Sequence, residues 1–171
     1  MGQILEKSRV VIFIDHANIF HNIEKLNIRI NYNKFKEILA GNKYLLGIFM
    51  YMGIPEKLLP KKLNFLKYLN SQGFIIQPKP VSISPTGIKK QKGVDIFIYK
   101  DIVELAEEDT YDKAILVSGD SDFIDLIKKL KELKKDIEVW SFKKSISKAL
   151  IDEVGKENVN YIDDILDEIR Y

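Results

Sequence analysis

Aspartates follow apolar segments at two distant points of the chain. Asp15 comes directly after the apolar run 10–14, and Asp120 and Asp122 follow the apolar run 114–117 across a Ser-Gly turn. Short, unbroken apolar runs rich in β-branched residues are typical of strands buried on both faces of a parallel sheet. The carboxyl ends of parallel strands share one rim, where ligands bind in open α/β folds. The sequence therefore predicts that these carboxylates meet at that rim.

A structural explanation for such acids must be weighed first. Asp and Ser cap helices and favour the positive end of the helix dipole, so a single acid here would need no function. Two carboxylates two positions apart exceed what a cap requires, and we interpret Asp120 and Asp122 as part of a site. Asp95, at the start of the apolar helical segment 93–106, could complete the group, although capping is a strong alternative. Asp101 lies mid-helix, where a paired or surface acid is about as plausible as a site role.

The chemistry follows from the ligand types. Three or four carboxylates in one cleft repel one another, so either their pKa values rise or a divalent cation neutralises them. The chain has no cysteine and only two histidines. An all-oxygen ligand set is typical of Mg²⁺ or Mn²⁺ rather than zinc. Such an ion keeps positions open for phosphate oxygens and helps generate an attacking hydroxide, so the pattern predicts phosphodiester hydrolysis.

Strand and helix patterns alternate along the chain. This order predicts a three-layer α/β/α sandwich with a mostly parallel central sheet. The helix after the second strand begins at Pro55 or Pro60, and Asn18 is the predicted cap of the first helix. Segment 78–92 holds three prolines and several lysines, and we predict an exposed, flexible basic loop there.

Length and composition predict a single domain over residues 1–171. A chain of this size buries a core without disulfides, and the absence of cysteine fits a reducing cytosol. No apolar run is long enough to span a bilayer, so we expect a soluble cytoplasmic protein without a membrane partner. The lysine clusters at 128–135 and 143–148 could follow an RNA backbone, although a solvated surface is the commoner explanation. Uncovered strand edges or apolar helix faces could also form the interface of a homodimer.

Three segments together resemble the NYN domain family, the LabA-like group of PIN-like nucleases. They are Ile-Asp-His-Ala-Asn at 14–18, Lys-Gly-Val-Asp at 92–95 and Ser-Gly-Asp-Ser-Asp-Phe at 118–123, in the family's order. The similarity covers about 9–142 and leaves about 143–171 as a C-terminal helical extension. The resemblance implies a PIN-like fold and a metal-dependent ribonuclease that acts on single-stranded or structured RNA.

The resemblance also implies roles for individual residues. The acids that match the family are expected to be catalytic and to bind Mg²⁺ or Mn²⁺: Asp15, Asp95, Asp120 and Asp122. Asn18 would orient a neighbouring group or contact substrate, Ser118 would hold a carboxylate or a water on the metal, and Lys92 would contact phosphate. Asp101, behind Asp95, is a second-tier candidate.

Two other functions remain open at this stage. A haloacid-dehalogenase-like phosphatase also has an acid after its first strand and a Gly-Asp segment followed by another acid, here Asp125. Ala17, however, stands where that class ordinarily has a second acid. The other alternative is a non-catalytic RNA-binding or regulatory module that retains the metal site. His16 could suggest a general base, but adjacent strand residues point to opposite sides, so we interpret it as structural.

Overall fold

The apolar runs of the sequence form the central strands of one sheet. The structure is a computed structural model that describes residues 7–83, 89–91 and 94–171. The strands in these residues are β1 (Arg9–Asp15), β2 (Tyr44–Ile54), β3 (Ile75–Ile83), β4 (Lys89–Gln91), β5 (Lys113–Val117), β6 (Asp136–Ser141) and β7 (Val159–Tyr161). Their order is β4-β3-β2-β1-β5-β6-β7, with β1 in the middle. Neighbouring strands are parallel except β4, which is antiparallel to β3. The predicted mostly parallel sheet is confirmed.

Helices cover both faces of this sheet. They are α1 (His16–Leu26), α2 (Tyr32–Ala40), α3 (Pro60–Ser71), α4 (Val94–Glu107), α5 (Ile124–Glu132), α6 (Lys148–Val154) and α7 (Leu166–Ile169). Alternate residues of β1 point to opposite faces. Ile12 and Ile14 pack in the core under α1, α2 and α3, whereas Val11 and Phe13 pack in the core under α4, α5 and α6. The two cores make the predicted three-layer α/β/α sandwich.

Two helix ends follow local sequence signals and one does not. Helix α3 begins at Pro60, where proline supplies the fixed φ of a first turn. Helix α2 ends at Gly41, whose φ of 55° suits glycine. The prediction that Asn18 caps α1 is wrong, because β1 runs directly into α1 and Asp15 takes the N-cap position. Asn18 lies within the first turn of α1 and has a different partner, described below.

The predicted flexible loop over 78–92 is wrong for the residues that the structure describes. Strand β3 continues to Ile83, and Val81 to Ile83 pair with β4. Pro78 and Pro80 lie in β3 before this pairing begins, where β2 is the neighbour in the ladder. Proline is tolerated there because, among the described residues, this part of β3 pairs with a strand on one side only. Lys92 lies outside the described residues.

The C-terminal segment contributes to the sheet as well as to the helices. The extension predicted from about 143 onward contains α6 and α7, and between them β7 adds a parallel strand beside β6. An antiparallel bridge between Ile30 and Arg170 joins the end of the chain to the segment before α2. None of the described helices is long and apolar enough to cross a membrane.

Candidate metal centre

Three aspartates from two separate parts of the fold converge at the rim of the sheet. Asp95 lies in the first turn of α4, and Asp120 and Asp122 follow β5. One carboxylate oxygen of each lies within 4.8 Å of the others. This span is close to the roughly 4.2 Å that separates opposite oxygens around Mg²⁺. The three side chains therefore fit one hard cation after small rotations.

Asp120 has a local structural role in addition to its place in the cluster. A single 3-10 turn, Ser121–Phe123, follows it, and the Asp122 backbone N–H donates to Asp120 Oδ1 at 2.9 Å. Asp120 is thus the cap that its sequence context suggested. The bond fixes one of its oxygens toward the turn. Capping explains the position of Asp120 but not the presence of Asp95 and Asp122 around it.

Asp15 lies at the end of β1 and is only 5% exposed. Asp15 does not belong to the group of three acids just described, whose carboxylate oxygens lie within 4.8 Å of one another. Burial, supported by the nearby charge of Asp95, raises the pKa of Asp15 to about 7. The Ser118 hydroxyl donates to Asp15 Oδ2 at 3.1 Å and opposes that rise. Asp15 is therefore a buried acid beside the cluster, within its electrostatic field.

Asp95 is also perturbed. Its partial burial, and then the charges of Asp120 and Asp122, raise its pKa to about 6. Within the described part of the chain, neither Lys nor Arg forms an ion pair with any of the four predicted acids. Among the described residues, no basic side chain therefore balances the negative charge of the cluster. A divalent cation is the counter-charge that this donor set fits.

Ser118 and Asn18 connect the two strand ends that carry the acids. Ser118 is fully buried; its Oγ donates to Asp15 and accepts from the Asp120 N–H at 3.3 Å. Asn18 Oδ1 accepts from the Gly119 N–H at 3.1 Å, which ties α1 to the turn after β5. Both residues hold the carboxylate-bearing segments in place. Their predicted contacts with metal water or substrate stay predictions.

Gly119 is a residue whose importance the sequence did not reveal. A Cβ at this position would lie 2.4 Å from the Ser145 carbonyl oxygen and 2.6 Å from Ser141 Oγ. The loop after β6 therefore packs directly on the turn that carries Asp120. The Ser-Gly pair predicted a turn, but no local signal indicated this close approach.

Asp101 has a structural partner. The Tyr51 hydroxyl donates to Asp101 Oδ2 at 2.7 Å. Tyr51 is fully buried and lies opposite Asp15 in the β1–β2 register. The bond joins α4 to β2 close to the site, and it accounts for a carboxylate in the middle of an apolar helix. The second-tier site role of Asp101 stays a prediction.

His16 lies on the α1 side of the sheet. Its ring is buried and stacks on Phe20 with a centroid distance of 5.2 Å. Burial lowers its pKa to about 3, so the ring is neutral. These observations agree with its interpretation as a structural residue rather than a general base of the acid cluster.

The lysine-rich surfaces around α5 and after β6 are partly neutralised. Lys131 pairs with Glu153, Lys135 contacts Asp109, and Lys143 lies 3.4 Å from Asp164. These pairs favour the solvated-surface explanation for the two clusters.

A family model and one solved structure agree with the fold. The family model of the NYN domain matches residues 9–157. A crystal structure of a protein of unknown function from Vibrio parahaemolyticus is similar at a TM-score of 0.81 and 27% identity, over 99% of this chain and 100% of that one. The C-terminal domain of a Pyrococcus furiosus hydrogenase aligns with a TM-score of 0.45 and 15% identity, over 81% of this chain and 95% of that domain. A comparison with curated proteins gives no match.

Proposed function

Because the chain belongs to the NYN domain family, whose fold is nuclease-like, we propose that it is a metal-dependent ribonuclease that hydrolyses phosphodiester bonds at the aspartate cluster. The observation that carries this proposal is the convergence of Asp95, Asp120 and Asp122. Raised pKa values at Asp15 and Asp95 support it, because burial and then the charges of neighbouring aspartates shift both carboxyls, as is common at functional sites. RNA is the proposed substrate, and Mg²⁺ or Mn²⁺ is the proposed ion.

The residues divide into two groups in this proposal. Asp95, Asp120 and Asp122 would hold the ion, with Asp15 as a fourth ligand directly or through water. When bound, the ion supplies charge stabilisation to the phosphate and lowers the pKa of water. Ser118 holds Oδ2 of Asp15, and the Asn18 side chain fixes the turn that carries Asp120. These bonds keep the carboxylates in position before substrate arrives, which is the preorganisation that catalysis needs.

The test is Mn²⁺-dependent cleavage of a single-stranded oligoribonucleotide, followed on a denaturing gel. Asp120→Asn should reduce cleavage by about 100-fold or more, because it weakens the metal site. Its amide oxygen can still accept from the Asp122 N–H, so the turn should keep its cap. Asp152→Asn, at an exposed position on α6, is the matched control and should leave cleavage unchanged.

Two results would refute the ribonuclease. RNA binding without turnover in either Mg²⁺ or Mn²⁺ would indicate a binding or regulatory module. Hydrolysis of small phosphomonoesters with a trapped aspartyl-phosphate would indicate a phosphatase, which requires an accessible nucleophile. The burial of Asp15, at 5% exposure, disfavours that second result.

A further inference from the structure

A large cavity lies between α1 and α3, away from the acid cluster. Its volume is about 640 Å³, within the range of small-molecule pockets. It opens on the sheet face covered by α1, α2 and α3, whereas Asp95 belongs to α4 on the other face. The proposed ribonuclease does not use this cavity.

Aromatic rings form much of the cavity wall. They are Phe20, Tyr32, Phe65, Tyr68 and Tyr171. Phe20 and Tyr171 are 45% and 72% exposed, so their rings are available at the mouth. Phe65 lies 5.5 Å from the ring of Tyr32 and 5.9 Å from that of His16, which makes a continuous aromatic wall. Such walls accept flat aromatic ligands, because planar rings stack on them.

The charged residues of the wall are all basic. Arg29, Lys61 and Lys62 line the cavity, and no Asp or Glu of the described residues does so. None of these three side chains forms an ion pair within the described ranges. Lys62 is half-buried, and burial lowers its pKa. An anionic group at the mouth would supply the missing counter-charge.

One polar atom of the wall has no partner. Nε2 of His16 is buried and makes no hydrogen bond to any described residue. Unsatisfied buried polar atoms are rare and call for a water or ligand. A neutral imidazole nitrogen donates or accepts one hydrogen bond, which suits the polar edge of a nucleobase.

We propose that this cavity binds one nucleotide, with its base stacked among the aromatic rings and its phosphate at Lys61, Lys62 and Arg29. The aromatic wall, the unopposed basic residues and the unpartnered His16 atom together favour this ligand over a purely apolar one. The nucleotide is either a free mononucleotide or one unit of an RNA strand.

Calorimetric titration tests the proposal on the full chain. The probes are adenosine monophosphate and a short oligoadenylate, both in EDTA so that no cleavage occurs. Lys62→Met and Tyr171→Ala should each weaken binding about tenfold, because one removes a charge-assisted contact and the other a stacking ring. Tyr171 is exposed, so its replacement leaves the core intact. Lys67→Met is the control, since Lys67 is an exposed residue of α3 that does not line the cavity.

Binding of both probes with the expected variant pattern supports a mononucleotide site. Binding of the oligoadenylate alone, with the same pattern, supports an RNA-strand site. If neither probe binds, or if Lys62→Met and Tyr171→Ala bind as tightly as the wild type, the proposal is overturned. The metal-free conditions keep this result separate from the ribonuclease test, which depends on Asp120 and Mn²⁺.

Discussion

Asp15→Asn should stabilise the metal-free protein at pH 8. Asp15 is buried at the end of β1, and its pKa rises from 3.8 to about 7 in the fold. A carboxyl whose folded pKa lies above its unfolded pKa favours folding while it is protonated. That contribution is fully present below about pH 4 and is lost as the pH rises through 7. Asparagine has the same shape and never ionises, so it removes this loss.

The size of the effect follows from the shift. Each pKa unit corresponds to about 1.4 kcal/mol, so a shift from 3.8 to about 7 corresponds to about 4 kcal/mol in the alkaline limit. At pH 5, Asp15 is mostly ionised in the unfolded chain but protonated in the folded protein, so part of this loss is already present at that pH. Between pH 5 and pH 8 the wild type should therefore lose about 2 to 3 kcal/mol of unfolding free energy relative to Asp15→Asn.

The assay is urea unfolding of both proteins in EDTA at several pH values from 5 to 8. Asp152→Asn, an exposed replacement outside the cluster, should follow the wild type at every pH. A wild-type minus Asp15→Asn difference that does not change with pH would refute the reasoning. An equal loss of stability in Asp15→Asn at every pH would also refute it. That result would mean that the carboxylate stabilises the fold through its hydrogen bond from Ser118.

Two further substitutions test contacts around the site. Tyr51→Phe should cost about 1 to 3 kcal/mol of unfolding free energy, because Asp101 loses the hydroxyl that donates to it at 2.7 Å; urea unfolding measures this, and a change within error would contradict it. Gly119→Ala should cost about 1 to 3 kcal/mol and reduce RNA cleavage, because its Cβ would lie 2.4 Å from the Ser145 carbonyl. Gly47→Ala is the control in both assays, since the nearest atom to its Cβ would be 3.8 Å away. Equal losses in the two alanine variants would disprove the close packing of Gly119 against Ser145.

The sequence was sufficient to predict the central strands of the sheet and the rim at which Asp15 and Asp120 lie. Runs such as 10–14 and 114–117 are apolar throughout, because strands in the middle of a parallel sheet are buried on both faces. Parallel pairing of β1 with β5 then brings Asp15 and Asp120 to one rim without further information. Asp95 was a candidate that could complete the group from a helix start, and the structure places it in the first turn of α4, within the group of three acids.

Local patterns gave the wrong answer where a distant partner decides the structure. The prolines of β3 resemble loop residues until β2 and β4 are placed beside them. Asn18 has the composition of a helix cap, but its oxygen bonds to Gly119, which only the β1–β5 pairing brings within reach. Tyr51 likewise becomes the partner of Asp101 only when α4 packs across β2.

Apart from the end of β3 and β4, the amino-acid order by itself determined which segments are strands or helices and which strand ends carry carboxylates. These features depend on periodicity and on residues a few positions apart, so they can be inferred from the chain alone. Only the tertiary structure decided which three acids bring their oxygens within 4.8 Å of one another, and that Asp15 is buried beside them. It alone also revealed a cavity that is lined by aromatic and basic residues and by His16. These features depend on how whole elements pack, because burial and distance between remote residues are properties of the packed layers and not of any local segment.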